Sequence, residues 1–271
     1  MVLVFATTGY AQEKQTFPIK WKIGETYTQS AEMQQKVAMP GQGDMEMKMT
    51  SAMTSEPKAG AKADTVEVTT TYTAVAISST MAGQEVPGVA DSVNAIVGKS
   101  FTAIFNEKGE VVEISGLKDL IEQGPASQLL SEESMKQMIT QGGLLGRPDH
   151  PVAPGESWDF SFDAPNPMMK MVMKGTYTYE KDEEVEGSKV AKISFEGNVA
   201  IEPAGAAEGA MEFGVRESKF SGVSYYHYDM ENFSRTESSL TMTMTLKVPG
   251  AEEAMEMPMT VSSVQTLAIK K

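Results

Sequence analysis

The chain contains no cysteine in 271 residues. Disulfides, thiolate metal centres and cysteine nucleophiles are therefore excluded. Histidine is nearly as scarce, with only His150 and His227. Basic residues are also few: 23 Lys and Arg stand against 37 Asp and Glu, a formal net charge of -14. Neutralising phosphates requires clustered Lys and Arg, so nucleic acid is excluded as a partner. The same deficit disfavours electrostatic adhesion to anionic lipid headgroups. Long apolar runs are missing too, and no stretch reads as a transmembrane helix. No H-E-x-x-H, G-x-S-x-G or Walker A sequence is present, and no group of residues forms a catalytic constellation. The expectation is a protein that is not an enzyme and calls for no cofactor.

What the chain has instead is methionine, 21 residues of it. Four stretches place it at alternate positions: Met45, Met47, Met49 and Met53; Met169, Met171 and Met173; Met242 and Met244; Met255, Met257 and Met259. A period of two puts successive side chains on one face of a β-strand, whereas a helix would scatter them around its axis. Other stretches alternate in the same way. Ile193, Phe195, Val199 and Ile201 share one face, and Leu240, Met242, Met244, Leu246 and Val248 oppose Thr241, Thr243, Thr245 and Lys247. One apolar face against one polar face marks an antiparallel sheet that is wet on one side. The fold class is therefore mainly β.

The chain also reads as duplicated. Gly24-Glu25-Thr26-Tyr27 and Gly155-Glu156-Ser157-Trp158 open two alternating stretches 131 residues apart, and Gly98 corresponds to Gly222 at a spacing of 124. Self-similarity of this kind predicts two copies of one β unit. The division expected is residues 12–146 for the first repeat, with a helical insert, and 147–271 for the second. The insert covers about 117–142. Leu117, Leu120 and Ile121 have helical spacing, and Ser131 is an N-cap followed by Glu132 and Glu133. Arg147 to Pro154 is proline-rich and links the halves. Residues 1–11 read as the remnant of a signal peptide, from the short apolar run Val2–Ala6 and the small residues Gly9 and Ala11. That predicts a periplasmic or otherwise exported protein.

Two motifs carry a resemblance. Phe101-Thr102-Ala103-Ile104-Phe105-Asn106-Glu107-Lys108-Gly109-Glu110-Val111, with Ser115-Gly116-Leu117 after it, and Pro154-Gly155-Glu156-Ser157-Trp158 resemble the central signature and second-half opening of a family of uncharacterised exported envelope proteins. The resemblance implies a compartment and an architecture, and no activity. A looser similarity is to periplasmic lipoprotein carriers, whose curved antiparallel sheet shelters acyl chains. That is an analogy of fold, which does not transfer function.

The methionine faces suggest three roles. Flexible thioethers fill irregular cores, and they also line surfaces that accept varied apolar ligands. The leading expectation is a non-catalytic protein that binds a lipid or apolar peptide segment at Met169, Met171, Met173, Met242, Met244, Met255, Met257 and Met259. The alternative is Cu(I), which soft thioethers select, with Met45, Met47, Met49 and His227 as ligands. A structural or assembly partner in the envelope is the third class. His227 otherwise belongs to an aromatic ladder in Tyr225-Tyr226-His227-Tyr228, and His150 to an exposed linker.

Overall fold

The computed structural model describes residues 13–41, 43–87, 94–121, 136, 139–140, 146–165, 169–203, 212–247 and 253–270. Twelve strands form one antiparallel sheet. The first half supplies β1 (Tyr27–Met39), β2 (Gly43–Ala59), β3 (Val66–Met81), the two-residue β4 (Gln84–Glu85), β5 (Ser100–Phe105) and β6 (Val111–Ser115). A short helix, α1 (Leu117–Ile121), follows. The second half supplies β7 (Ser157–Pro165), β8 (Met169–Val185), β9 (Ser188–Pro203), β10 (Glu212–His227), β11 (Asn232–Lys247) and β12 (Met255–Ile269). The order across the sheet is β6-β5-β3-β2-β1-β12-β11-β10-β9-β8-β7, with β4 pairing β3 off that path.

Each half of the chain thus forms a contiguous half of the sheet. The seam at the centre is β1 against β12, from Tyr27 opposite Ile269 to Val37 opposite Met259. Strands β1 and β7 both start just after a glycine in the left-handed region, Gly24 at φ 87° and Gly155 at φ 89°. Gly98 stands in the turn before β5, whereas Gly222 lies inside β10, opposite Phe195 and Ser238. The part of the helical insert that follows Ser131 falls largely outside the described residues. The composition of Glu56–Asp64, with Pro57 and Gly60, predicts a loop, but Glu56–Ala59 extends β2 and pairs with β3, so the connection is shorter.

Both resemblance motifs are turns. Asn106 Oδ1 accepts the N–H groups of Lys108 and Glu110, each at 3.0 Å, and closes the β5–β6 hairpin. Gly109 has φ 72°, and a Cβ there would lie 2.2 Å from the carbonyl oxygen of Ile19. The Arg147 guanidinium donates to the carbonyls of Lys108 and Gly109, tying the start of the proline-rich stretch before β7 to this hairpin. In the second motif, the Glu156 carboxylate accepts the Ala153 N–H at 2.9 Å and meets Lys14 at 3.0 Å. The Ala153 hydrogen bond, then Lys14, holds this carboxyl below the usual range.

Cross-strand partners share a face, so the register sorts the whole sheet. On β1, Gln29, Ala31, Met33, Gln35, Val37 and Met39 lie on one side, and Thr28, Ser30, Glu32, Gln34 and Lys36 on the other. The second set is polar and largely exposed, the reverse of a transmembrane barrel, which presents its apolar band outward. Among the described residues, no helix is long and apolar enough to cross a membrane. The apolar side is the inside of a trough. Phe101 of β5 and Phe160 of β7, near opposite margins of the sheet, line one cavity with Ser263 of the central β12. Among the described residues no ladder joins β6 to β7, which stand at the two margins of the sheet.

Candidate functional site

Three apolar clusters occupy the inner face. The first lies under β7–β10 and contains Phe17, Trp158, Tyr177, Tyr179, Ile193 and Tyr226. Its rings meet edge-on and stacked: Phe17 is 5.2 Å from both Tyr179 and Tyr226, and Trp158 stacks on Tyr177 at 5.7 Å. Such pairs add about 0.5–1.5 kcal/mol each beyond their buried area. Glycine shapes the adjoining wall. Gly175 pairs with Gly197, and a Cβ on Gly197 would sit 2.7 Å from the Phe220 ring. A Cβ on Gly222 would sit 2.3 Å from the Phe195 ring. The missing side chains let Phe160, Phe195 and Phe220 lie over bare backbone, with Phe160 and Phe220 5.7 Å apart.

The second cluster covers β3, β5 and β6 with Val68, Ala103, Phe105, Ile114, Leu117 and Leu120. Here α1 packs two leucines against the sheet, and Trp21 from the N-terminal segment stands over Tyr27 at 4.9 Å. The third cluster is built on methionine. Val37, Met242 and Met259 are buried, with Met39, Met45, Met244 and Met257 packed around them.

Between the clusters lies a cavity of about 810 Å³. Trp21, Tyr72 and Phe101 face it from one flank, Phe160, Tyr177 and Phe195 from the other, and Leu240 and Val261 from the methionine end. Its size falls within the range of small-molecule sites, and its walls are largely apolar with a few polar groups.

The methionines of the expected site divide by location. Met242 is opposite Met259, and Met244 is opposite Met257, so these four form a square on adjacent strands. The Gln35 amide donates to the Met259 sulfur at 3.2 Å. Met255 opens β12 opposite Leu246 and is 43% exposed. Met171 and Met173 are on β8, opposite Ile201 and Val199, and Met173 lines the cavity. Met169 opens β8 opposite Pro203. On the first half, Met45, Met47 and Met49 oppose Val37, Gln35 and Met33 on the inner face. His227 is not with them. It ends β10, whereas Val215, which packs with the methionines, lies twelve positions back along that strand, about 40 Å away. Its Nδ1 accepts the Met230 N–H at 3.3 Å. His150 pairs with Asp149 on the surface, 56% exposed.

The aromatic walls were not singled out from the sequence as ligand-facing. A signal for them exists in Trp158, Phe160 and Phe162, which alternate in β7 as the methionines do. Beyond this end of the trough, Tyr179 and Tyr228 both donate to Asp182, at 2.5 and 2.7 Å, and Lys189 meets the same carboxylate at 2.7 Å. Burial raises the Asp182 carboxyl, but the hydrogen bonds from Lys189, Tyr179 and Tyr228 outweigh it and leave the group below its ordinary value.

A family model, described as a family of unknown function (DUF6263), matches residues 63–251, more than half of the chain, and the chain belongs to that family. No curated protein matches it. Among solved structures it is similar to lipovitellin, in a structure of lipid–protein interactions in that protein, with 10% identity and a TM-score of 0.54. The likeness covers 93% of this chain and 26% of lipovitellin, so the chain spans about a quarter of that protein. At this identity the match concerns the fold alone. Rv2717c from M. tuberculosis has 12% identity over 92% of both chains, with a TM-score of 0.23. DynF from the dynemicin biosynthesis pathway of Micromonospora chersina has 9% identity over 96% of this chain and 86% of its own, with a TM-score of 0.25. Scores that low carry no argument.

Proposed function

We propose that this member of DUF6263 is a non-catalytic binding protein of the periplasm or another exported compartment, and that it holds a lipid or apolar peptide segment in the trough of its sheet. One observation carries the reading: a cavity of about 810 Å³ lies where all three apolar clusters meet, lined mostly by rings and aliphatic side chains. Burying hydrocarbon there gains about 25 cal/mol per Å² of apolar surface. The likeness of fold to lipovitellin, in a structure of lipid–protein interactions, supports the same reading. Native mass spectrometry of the protein purified from its own envelope tests it. The expected result is a retained lipid or peptide mass that denaturation releases. A bare chain that also fails to enhance the fluorescence of the apolar probe N-phenyl-1-naphthylamine would refute it.

A second reading is favoured by the Met242–Met259 and Met244–Met257 square. Four thioethers on facing strand positions suit a soft monovalent ion such as Cu(I). This ligand set draws on β11 and β12 and dispenses with His227. Titration with Cu(I) under reducing conditions, against a competing chelator, should then give a stoichiometric site that the Met242→Leu/Met259→Leu double variant loses. No binding beyond the chelator's ends this reading.

A further inference from the structure

The cavity wall has a polar belt between its aromatic and methionine ends. Along β11 the inner face reads Phe233, then Thr236 and Ser238, then Leu240, Met242 and Met244. Along β12 it reads Met257, Met259 and Val261, then Ser263 and Gln265, then Leu267. Two cross-strand rows result. Ser224, Thr236 and Gln265 lie in one, and Ser238 and Ser263 in the next. All five line the cavity.

The four hydroxyls are hydrogen-bonded in pairs. Ser238 and Ser263 hydroxyls are 2.7 Å apart, and those of Ser224 and Thr236 are 3.1 Å apart. A hydroxyl carries one hydrogen and two acceptor sites. Within each pair one O–H is spent on the other oxygen, and the second O–H remains free to donate. A wall meant only for hydrocarbon gains nothing from unspent donors, because covering them without a partner costs about 1–3 kcal/mol each. The belt therefore fits a ligand with acceptor oxygens partway along an apolar body. The belt groups carry no charge. Arg235, the cation among the cavity's lining residues, alternates with Thr236 onto the outer face and is paired with Glu237, so a carboxylate at the belt would be desolvated without a free cation, whereas an ester carbonyl would lose little.

Resting on the reading of the trough as a lipid site, we infer that its ligand is a neutral acyl ester. Its carbonyl accepts hydrogen bonds from the Ser238–Ser263 and Ser224–Thr236 pairs, and its chain runs over Leu240 and Val261 toward the methionines. The test is displacement of N-phenyl-1-naphthylamine by three ligands of equal chain length: mono-oleoylglycerol, oleate and 1-octadecene. The wild-type protein should prefer mono-oleoylglycerol. In Ser238→Ala/Ser263→Ala that ester should weaken about tenfold, the equivalent of one good hydrogen bond, while the probe and 1-octadecene are unchanged. Thr236→Val, which nearly conserves volume, should weaken the ester in the same direction and provides a second variant if the first folds poorly. Equal potency of ester and hydrocarbon, or an ester preference that both variants keep, means the belt holds only water and overturns the inference. Preference for oleate overturns the assignment of a neutral ligand. Failure of the probe itself to bind overturns the lipid-site reading beneath it.

Discussion

One end of the inner face is made of rings and the other of thioethers. At the ring end, Phe17, Tyr179 and Tyr226 interlock edge to face, and the N-terminal segment is pinned there by the Tyr226 hydroxyl donating to the Pro18 carbonyl at 2.8 Å. At the methionine end, side chains with three rotatable bonds pack on one another, and Gln35 makes a polar contact with the Met259 sulfur. Rings have few rotamers and specific contact geometry, whereas methionine adapts to whatever space it is given. Apolarity alone thus fails to describe the trough. One end fixes its shape, the other accommodates, and the cavity lies between them.

The largest expected effect lies at the ring end. Tyr226→Ala removes a buried ring, its contacts with Phe17 and Phe233, and the bond to Pro18. It should cost about 3–5 kcal/mol in urea denaturation. Next is Gly197→Val, whose side chain would have to displace the Phe220 ring and the Lys174 carbonyl. That overpacking should cost about 1–3 kcal/mol and shrink the binding capacity for the apolar probe.

The two ends should also differ in response to pH. Burial first, and the hydrogen bond to Asp182 second, push the Tyr179 phenol up to about 12 from its ordinary value of 10.0. A raised folded-state value contributes stability that is complete below pH 10 and is lost as pH rises toward 12. Asp182 is held low, so its contribution is present above about pH 4 and fades as pH falls through its depressed value. Melting curves across pH should therefore fall off at both extremes. Tyr179→Phe should flatten the alkaline arm and Asp182→Asn the acid arm. Arms unchanged in both variants would show that the sensitivity arises elsewhere.

The smallest effect belongs to the methionine end. Met242→Leu conserves volume and should cost less than about 1.5 kcal/mol. If it costs as much as Tyr226→Ala, the contrast between a rigid and an accommodating end is wrong.

Much of the sheet could be read from alternation, because a strand's two faces are written into consecutive residues. The runs at Met45–Met53, Met171–Met173, Met242–Met244 and Met255–Met259 all lie in strands, and their register puts them on the apolar side of the sheet, with Met255 exposed at the strand's start. Pairing across the seam was not readable. Tyr27 meets Ile269 across 242 residues, and nothing local to either strand records the other. The cavity was hidden for the same reason. Trp21, Tyr72, Phe160 and Phe195 come from four distant segments and converge only once the sheet rolls. Bulges added further irregularity. Tyr72 and Met53 become partners because β3 gains an extra residue there, a slip that composition does not announce.

The seam has a consequence for how the molecule assembles. Among the twelve strands, β12 lies furthest along the chain, yet it belongs in the middle of the sheet, flanked by the first strand and the eleventh. Until β12 pairs with β1, the described strands of the two halves have no ladder between them, and β1 and β12 each expose a bare hydrogen-bonding edge. Contacts of such long sequence separation form late and slowly. The nascent protein therefore passes through a stage with two sticky margins, when a chaperone would have most to protect and a neighbouring copy most to capture.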